Sequence, residues 1–221
     1  MARSVHDCVA QRRLILKVSA VVLAGGRSSR FGRDKSLLRI DDELLVERSL
    51  RRWGHMFDEI IIVSDSGCKF DIAGITEVRD IYPRRGPLGG VHAGLTAVRN
   101  QWAFVVACDM PSIENDFIQR LFDAVSDGDR VILPYHNGMI EPLCALYHTD
   151  CLPFAEDMLS RESNCILDMY EMVPVLYFET ENCFFNINYP EDADSVGTAK
   201  ENSSRRYKRR LRIFCGEKGL S

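Results

Sequence analysis

Apolar residues fall along the chain in blocks with two distinct periods. The first block is Val18-Ser19-Ala20-Val21-Val22-Leu23-Ala24. A continuous run rich in β-branched residues predicts a strand buried on both faces, as in a parallel sheet. Similar runs predict strands at Glu59–Ser64, Thr76–Arg79, Trp102–Cys108, Arg130–Pro134, Leu143–Tyr147 and Val173–Phe178. Between them the period lengthens. Val46, Leu50, Trp53 and Phe57 recur every three to four residues and predict a helix over Leu44–Phe57, with Asp42 as its N-cap. Further helices are expected at about Val91–Arg99, around Phe117, Leu121 and Val125, at Thr149–Leu159 and at Cys165–Met172. Ser36–Ile40 and Phe184–Asn188 read as short extended pieces, Asp41-Asp42 as a turn, and Pro190 as the first turn of a last helix.

Strands alternating with helices imply βαβ units. With right-handed crossovers these build a single-domain α/β fold, three-layered and Rossmann-like around a mostly parallel sheet. Ligands of such sheets bind at the carboxyl ends of the strands. Gly25-Gly26, Ser64, Asp80 and Asp109 all fall at such ends. Four strand-end features on one edge locate the candidate site.

The first of them carries the most chemistry. After the buried run, Gly25-Gly26 allow a sharp turn and leave no Cβ between a ligand and the backbone amides. Arg27, Arg30, Arg33 and Lys35 follow within ten residues. Amides and basic side chains together cradle phosphate. The loop lacks both the Walker A pattern and the dinucleotide-binding Gly-x-Gly-x-x-Gly. Asp109, after a strand and before Met110-Pro111, reads from position alone equally as a Mg²⁺ ligand or as a turn cap.

Composition narrows the class. The chain has 221 residues, 46% of them apolar and 27% charged, and a net charge of −4. That suits an ordinary globule and gives no global pull towards nucleic acid or a membrane. The apolar run from Leu14 to Ala24 is broken by Lys17 and is too short to span a bilayer. It leads straight into the Gly-Gly turn, so it reads as a strand rather than a signal peptide, despite the preceding Arg12-Arg13. None of the 8 cysteines forms a Cys-x-x-Cys pair or stands at zinc-finger spacing, which predicts a reduced cytoplasmic protein without disulfides. No serine or cysteine has a recognisable activating partner, so a covalent enzyme intermediate is not expected.

The order Leu-Ala-Gly-Gly-x-Ser-x-Arg-Phe-Gly-x-Asp-Lys, Leu23 to Lys35, resembles the signature loop of molybdenum cofactor guanylyltransferases. Ala107-Cys108-Asp109-Met110-Pro111, Gly86-Pro87-Leu88-Gly89-Gly90, Glu141–Tyr147 and Asn186–Asp192 resemble further segments of that family. The likeness runs from about Val18 to Ala199. It implies a nucleotidyltransferase domain over residues 18–199, a loose extension over 1–17 and a separate basic tail over 200–221.

The resemblance implies transfer of GMP from GTP to the molybdopterin cofactor, with Mg²⁺ as the metal. Arg30, Lys35 and Asp109 are the implied catalytic residues, and Asp109 the metal ligand. Leu23, Ala24, Gly25 and Gly26, with Lys35, Ser64, Asp80 and Asp109, are the implied GTP site. Pro87, Leu88 and Gly89 are expected near substrate, and Asn186 and Asn188 near the pterin or the metal. His92 reads as a half-buried packing residue. Two departures stand out: Ser64 sits where relatives often carry asparagine, and Tyr189 where they carry threonine. Leu-Ala-Gly-Gly rather than Leu-Ala-Ala-Gly favours GTP over the CTP of sister cytidylyltransferases. Other small nucleotidyltransferases and a non-catalytic nucleotide or cofactor carrier remain as alternatives. A molybdoenzyme or its chaperone is the expected protein partner, and the state expected is monomer or weak oligomer. Arg205–Arg212 reads as a solvated basic tail.

Overall fold

A computed structural model of the protein describes residues 16–25 and 35–181, with only the backbone of Lys35. Ten strands appear among the described residues. They are β1 (Val18–Leu23), β2 (Arg39–Ile40), β3 (Glu43–Leu44), β4 (Glu59–Ser64), β5 (Thr76–Arg79), β6 (Trp102–Ala107), β7 (Val131–His136), β8 (Met139–Ile140), β9 (Cys144–His148) and β10 (Val175–Glu179). The α-helices described are α1 (Leu45–Trp53), α2 (Gly86–Ala97), α3 (Asn115–Ala124), α4 (Leu152–Ser160) and α5 (Ile166–Met169).

The main sheet runs β10-β7-β9-β6-β1-β4-β5, with β8 added to β7. β1 lies in its interior, parallel to its neighbours β4 and β6. The expected mostly parallel α/β sheet is present; β9, antiparallel to both its neighbours, and β8, antiparallel to β7, are the exceptions. Every residue of β1 is buried because both faces are covered. Val21 and Leu23 meet Leu88 and Val91 of α2, in the layer that also holds Met158 of α4 and Met169 of α5. Ala20 and Val22 lie in the opposite layer with Trp53 of α1 and Phe117 and Leu121 of α3.

Several boundaries differ from the sequence expectation, each for a physical reason. α1 is capped at Leu44, whose amide donates to Glu47 Oε2 at 3.0 Å. Asp42 does not cap it. With Asp41 it occupies the left-handed turn between β2 and β3, at φ of 63° and 52° respectively. The helix stops at Trp53, and Gly54–Met56 continue as a 3₁₀ turn. A Cβ on Gly54 would sit 3.3 Å from Ile60, so the chain is tight against β4 there. α2 begins at Gly86, five residues before the expected start, because Pro87 stands in the first turn, where its missing N–H costs nothing. β7 extends to His136 and returns as β8 through Asn137-Gly138, at φ 50° and 74°. That Asn-Gly pair is a strong hairpin signal. The expected elements at Phe184–Asn188 and Pro190 lie outside the described residues.

Among the described cysteines Cys68, Cys108, Cys144 and Cys151 are free thiols. Cys165 is disulfide-bonded, which corrects the expectation that all eight are reduced. Burial pushes the Cys151 thiol up to about 12, so it is no nucleophile at neutral pH. Among the described residues no helix is long and apolar enough to cross a membrane.

Candidate active site

The strand register lines the candidate residues up along one edge. Leu23, the last residue of β1, stands opposite Val63 on one side and Ala107 on the other. The ladder then continues one bond past each strand. The Ala24 amide donates to the Val63 carbonyl at 2.8 Å, and the Cys108 amide to the Leu23 carbonyl at 3.1 Å. The Asp80 amide donates to the Ser64 carbonyl at 3.0 Å. Asp109, Gly25, Ser64 and Asp80 therefore follow one another across four adjacent strands, β6, β1, β4 and β5. Three inter-strand spacings span about 14 Å.

Asp80 is held in place from two sides. Its Oδ1 accepts the Tyr82 amide at 2.9 Å, closing a short turn. It lies against the first turns of α2, where a Cβ on Gly89 would sit 3.2 and 3.3 Å from its two oxygens. Burial pushes its carboxyl above the usual range and the Asp65 carboxylate adds to this, against the Tyr82 amide and the His92 imidazole. An open depression of about 280 Å³, lined by Arg79, Asp80, Ile81 and Pro83, lies beside it.

Glycines set how close α2 comes. A Cβ on Gly94 would lie 2.3 Å from Val21 Cγ1, and one on Gly90 3.2 Å from Leu23 Cδ2. These two glycines, four apart on one helix face, let α2 lie directly on β1. The Gly86–Gly90 segment thus supports the site from beneath. Leu88, expected near substrate, is wholly buried in the core, and Pro87 and Gly89 belong to the opening of α2. His92 is 5% exposed, packs edge-on to the Tyr82 ring at 5.1 Å and stands beside Asp80. Burial pushes its imidazole below the usual range, against the pull of Glu156 and Asp80.

Ser64 turns inward. Its hydroxyl donates to Glu77 Oε1 and accepts the Gly67 amide at 2.8 Å. The Glu141–Tyr147 segment is structural where it is described. Glu141 is fully buried, and the Tyr147 hydroxyl donates to the Pro142 carbonyl at 2.9 Å. Gly26, Arg30, Asn186 and Asn188 lie outside the described residues, as does the basic tail.

Two residues of this edge were not singled out by the sequence. Asp65 follows Ser64 and leans over the Gly25 turn, so that a Cβ on Gly25 would lie 2.7 Å from Asp65 Oδ1. Its position one residue past a buried strand is a legible signal. Glu77 lies within β5, where an acidic residue on a short edge strand reads as solvent-facing.

Asp109 offers a hard carboxylate oxygen at the end of β6. Among the described residues no three histidine, cysteine or acidic side chains cluster as a metal cage. A Mg²⁺ ion does not require one, since it takes one or two carboxylates and completes its shell with water and substrate phosphates. The donor type and its place beside the Gly25 turn fit that ion.

A family model described as the MobA-like NTP transferase domain matches residues 20–173. A protein of Natranaerobius thermophilus named "Probable molybdenum cofactor guanylyltransferase" is 35% identical over 193 residues, covering 81% of this chain and 94% of its own length. A molybdenum cofactor guanylyltransferase of Vibrio parahaemolyticus is 31% identical over 189 residues, covering 82% and 95%. Among solved structures, molybdopterin-guanine dinucleotide biosynthesis protein A from Archaeoglobus fulgidus superposes with a TM-score of 0.67 at 24% identity. That match covers 80% of this chain and 96% of the other, and shows the shared fold. With Leu-Ala-Gly-Gly in its sequence at the end of the first strand run and a matched segment spanning most of the chain, this protein belongs to the MobA-like NTP transferase family.

Proposed function

We propose that the protein transfers GMP from GTP to the terminal phosphate of molybdopterin, releasing pyrophosphate. One observation carries the reading: the register that sets Asp109, Gly25, Ser64 and Asp80 in a row along the carboxyl edge. The guanylyltransferase names of relatives over 30% identical supply the substrate pair.

A phosphate oxygen of the cofactor attacks the α-phosphorus of GTP in line. The α–β bridging bond breaks, and pyrophosphate leaves with the electron pair. The chain contributes position and charge rather than a covalent intermediate. Arg30 and Lys35 offset the negative charge that spreads over the α-phosphate and the leaving group, Arg30 as a planar clamp and Lys35 as a point charge. Amides of the Gly25-Gly26 turn, free of Cβ atoms, approach the phosphates closely. Asp80, two strands over from the Gly25 turn, accepts N–H or O–H donors from the nucleoside end. Asp109 is the residue that would hold Mg²⁺. When bound, that ion adds Lewis-acid neutralisation of phosphate charge.

Thermal unfolding with Mg²⁺ and each of GTP, CTP, ATP and UTP tests the nucleotide half of the proposal. A ligand at a hundred times its Kd stabilises the fold by about 2.7 kcal/mol. A shift with GTP alone is expected. A shift with CTP alone would make the protein a cytidylyltransferase and overturn the guanylyl reading.

A further inference from the structure

We propose that Glu77 is a positioning residue for nucleotide binding: it locks the connection between β4 and β5 and so sets the width of the slot between the Gly25 turn and Asp80. The inference rests on the nucleotide-binding reading above and adds a residue that touches no substrate.

The connection, residues 65–75, has no regular structure of its own and crosses the edge where the nucleotide would lie. Its first half is tied to one carboxylate. Glu77 accepts the Lys69 amide on both oxygens at 2.8 Å and the Phe70 amide at 2.7 Å. It also accepts the Ser64 hydroxyl, which in turn accepts the Gly67 amide at 2.8 Å. Ser64 thus joins the end of β4 to Glu77 on β5. A carboxylate receiving several amides is a strong, directional anchor. Its net effect on Glu77 is a carboxyl held below the usual range, although burial alone would raise it.

The anchored loop touches both sides of the slot. Gly67, at φ 74°, is pressed on the end of β5, where a Cβ would sit 3.1 Å from the Arg79 nitrogen. Asp65 leans the other way, over Gly25. Between these two contacts the Asp80 amide is fixed to the Ser64 carbonyl. Releasing Glu77 frees Ser64, Gly67 and Asp65 together, and the spacing between the phosphate turn and Asp80 loses its support. Ser64 then acts on the nucleotide through Glu77 and not by its own contact.

A double-mutant cycle decides this. GTP affinity and turnover are measured for Ser64→Ala, Glu77→Gln and the pair, with amide hydrogen exchange on the nucleotide-free proteins. Each single variant is expected to weaken GTP binding about tenfold, the scale of one lost bond to a charged group. The pair should be no worse than either single, and kcat should stay within about threefold. Exchange should rise together at Gly67, Lys69 and Phe70 and at Ala24 and Asp80 on the two flanks. Additive losses of affinity would mean that Ser64 works independently and would overturn the proposal. So would exchange that rises only within the loop, or unchanged GTP affinity in Glu77→Gln. If the native protein bound no GTP, the functional reading would fall, while the exchange at Ala24 and Asp80 would still decide whether Glu77 reaches the flanks. Should Glu77→Gln not fold, Ser64→Ala alone carries both readouts.

Discussion

Gly89→Ala separates the stability of this fold from its function. Gly89 lies in α2, where replacing glycine by alanine favours the helix by about 1 kcal/mol. The added methyl, however, would stand 2.9 Å from the Tyr82 carbonyl oxygen and 3.2 and 3.3 Å from the Asp80 oxygens. Ordinary contact begins at 3.4 Å, so the carbonyl must retreat by about half an ångström and the carboxylate by less. The atom that must yield first is a backbone carbonyl in the partly exposed 80–86 turn, so the methyl costs about 1–3 kcal/mol, the scale of overpacking. The helix gain offsets part of this, and the unfolding free energy in urea should fall by no more than about 2 kcal/mol from that of the native protein. The site does not escape so lightly. Asp80 is held by one amide at 2.9 Å and moves with that turn, and a weakened hydrogen bond to a charged group costs about 1.5–3 kcal/mol, tenfold or more in affinity. A tenfold to hundredfold loss of GTP affinity is expected, read by calorimetry or by the thermal shift with GTP. Native affinity at native stability would refute the reasoning, because Asp80 would then not need its place on α2. A collapse of stability would refute it differently, by showing that the turn cannot yield.

Other perturbations test other parts of the account. Gly94→Ala should behave in the opposite way, because its methyl would meet the wholly buried Val21 at 2.3 Å; a loss of about 2–3 kcal/mol is expected in urea unfolding, relieved by adding Val21→Ala. Asp109→Asn should lower turnover about a hundredfold or more and weaken its Mg²⁺ dependence, with a melting temperature within a few degrees of native. Glu59 and Glu77 both titrate below the usual carboxylate value of 4.5 in the folded protein. The sign follows: their contribution is present above that value and is lost as pH falls through the lower folded values. Urea unfolding between pH 7 and 3 should therefore show the gap between native protein and Glu59→Gln closing on the acid side.

The architecture was largely legible because its signals are local. Continuous apolar runs marked the doubly covered strands, and their ends marked the site edge. Much of what escaped was decided by contacts distant in sequence. Pro87 and the glycines around it read as breakers, yet they open α2, because Gly90 and Gly94 are required by Val21 and Leu23 of β1. Asp42 has the composition of a cap, but the turn at Asp41-Asp42 claims its backbone first. Ser64 was expected to face the nucleotide, and its hydroxyl is held by Glu77, thirteen residues away. Nothing in the pattern around Glu77 foretells that it gathers three donors, since those donors come together only when the loop folds back. The Asn137-Gly138 hairpin, by contrast, carries a plain local signal.

The central claim is guanylyl transfer, and pyrophosphate release tests it most directly. The protein, Mg²⁺ and molybdopterin are combined with GTP or CTP, and pyrophosphate and the dinucleotide product are followed together. Release with GTP, dependent on molybdopterin and matched by the guanine dinucleotide, is the predicted result. Release with CTP but not GTP, or GTP binding without any pyrophosphate, would contradict it.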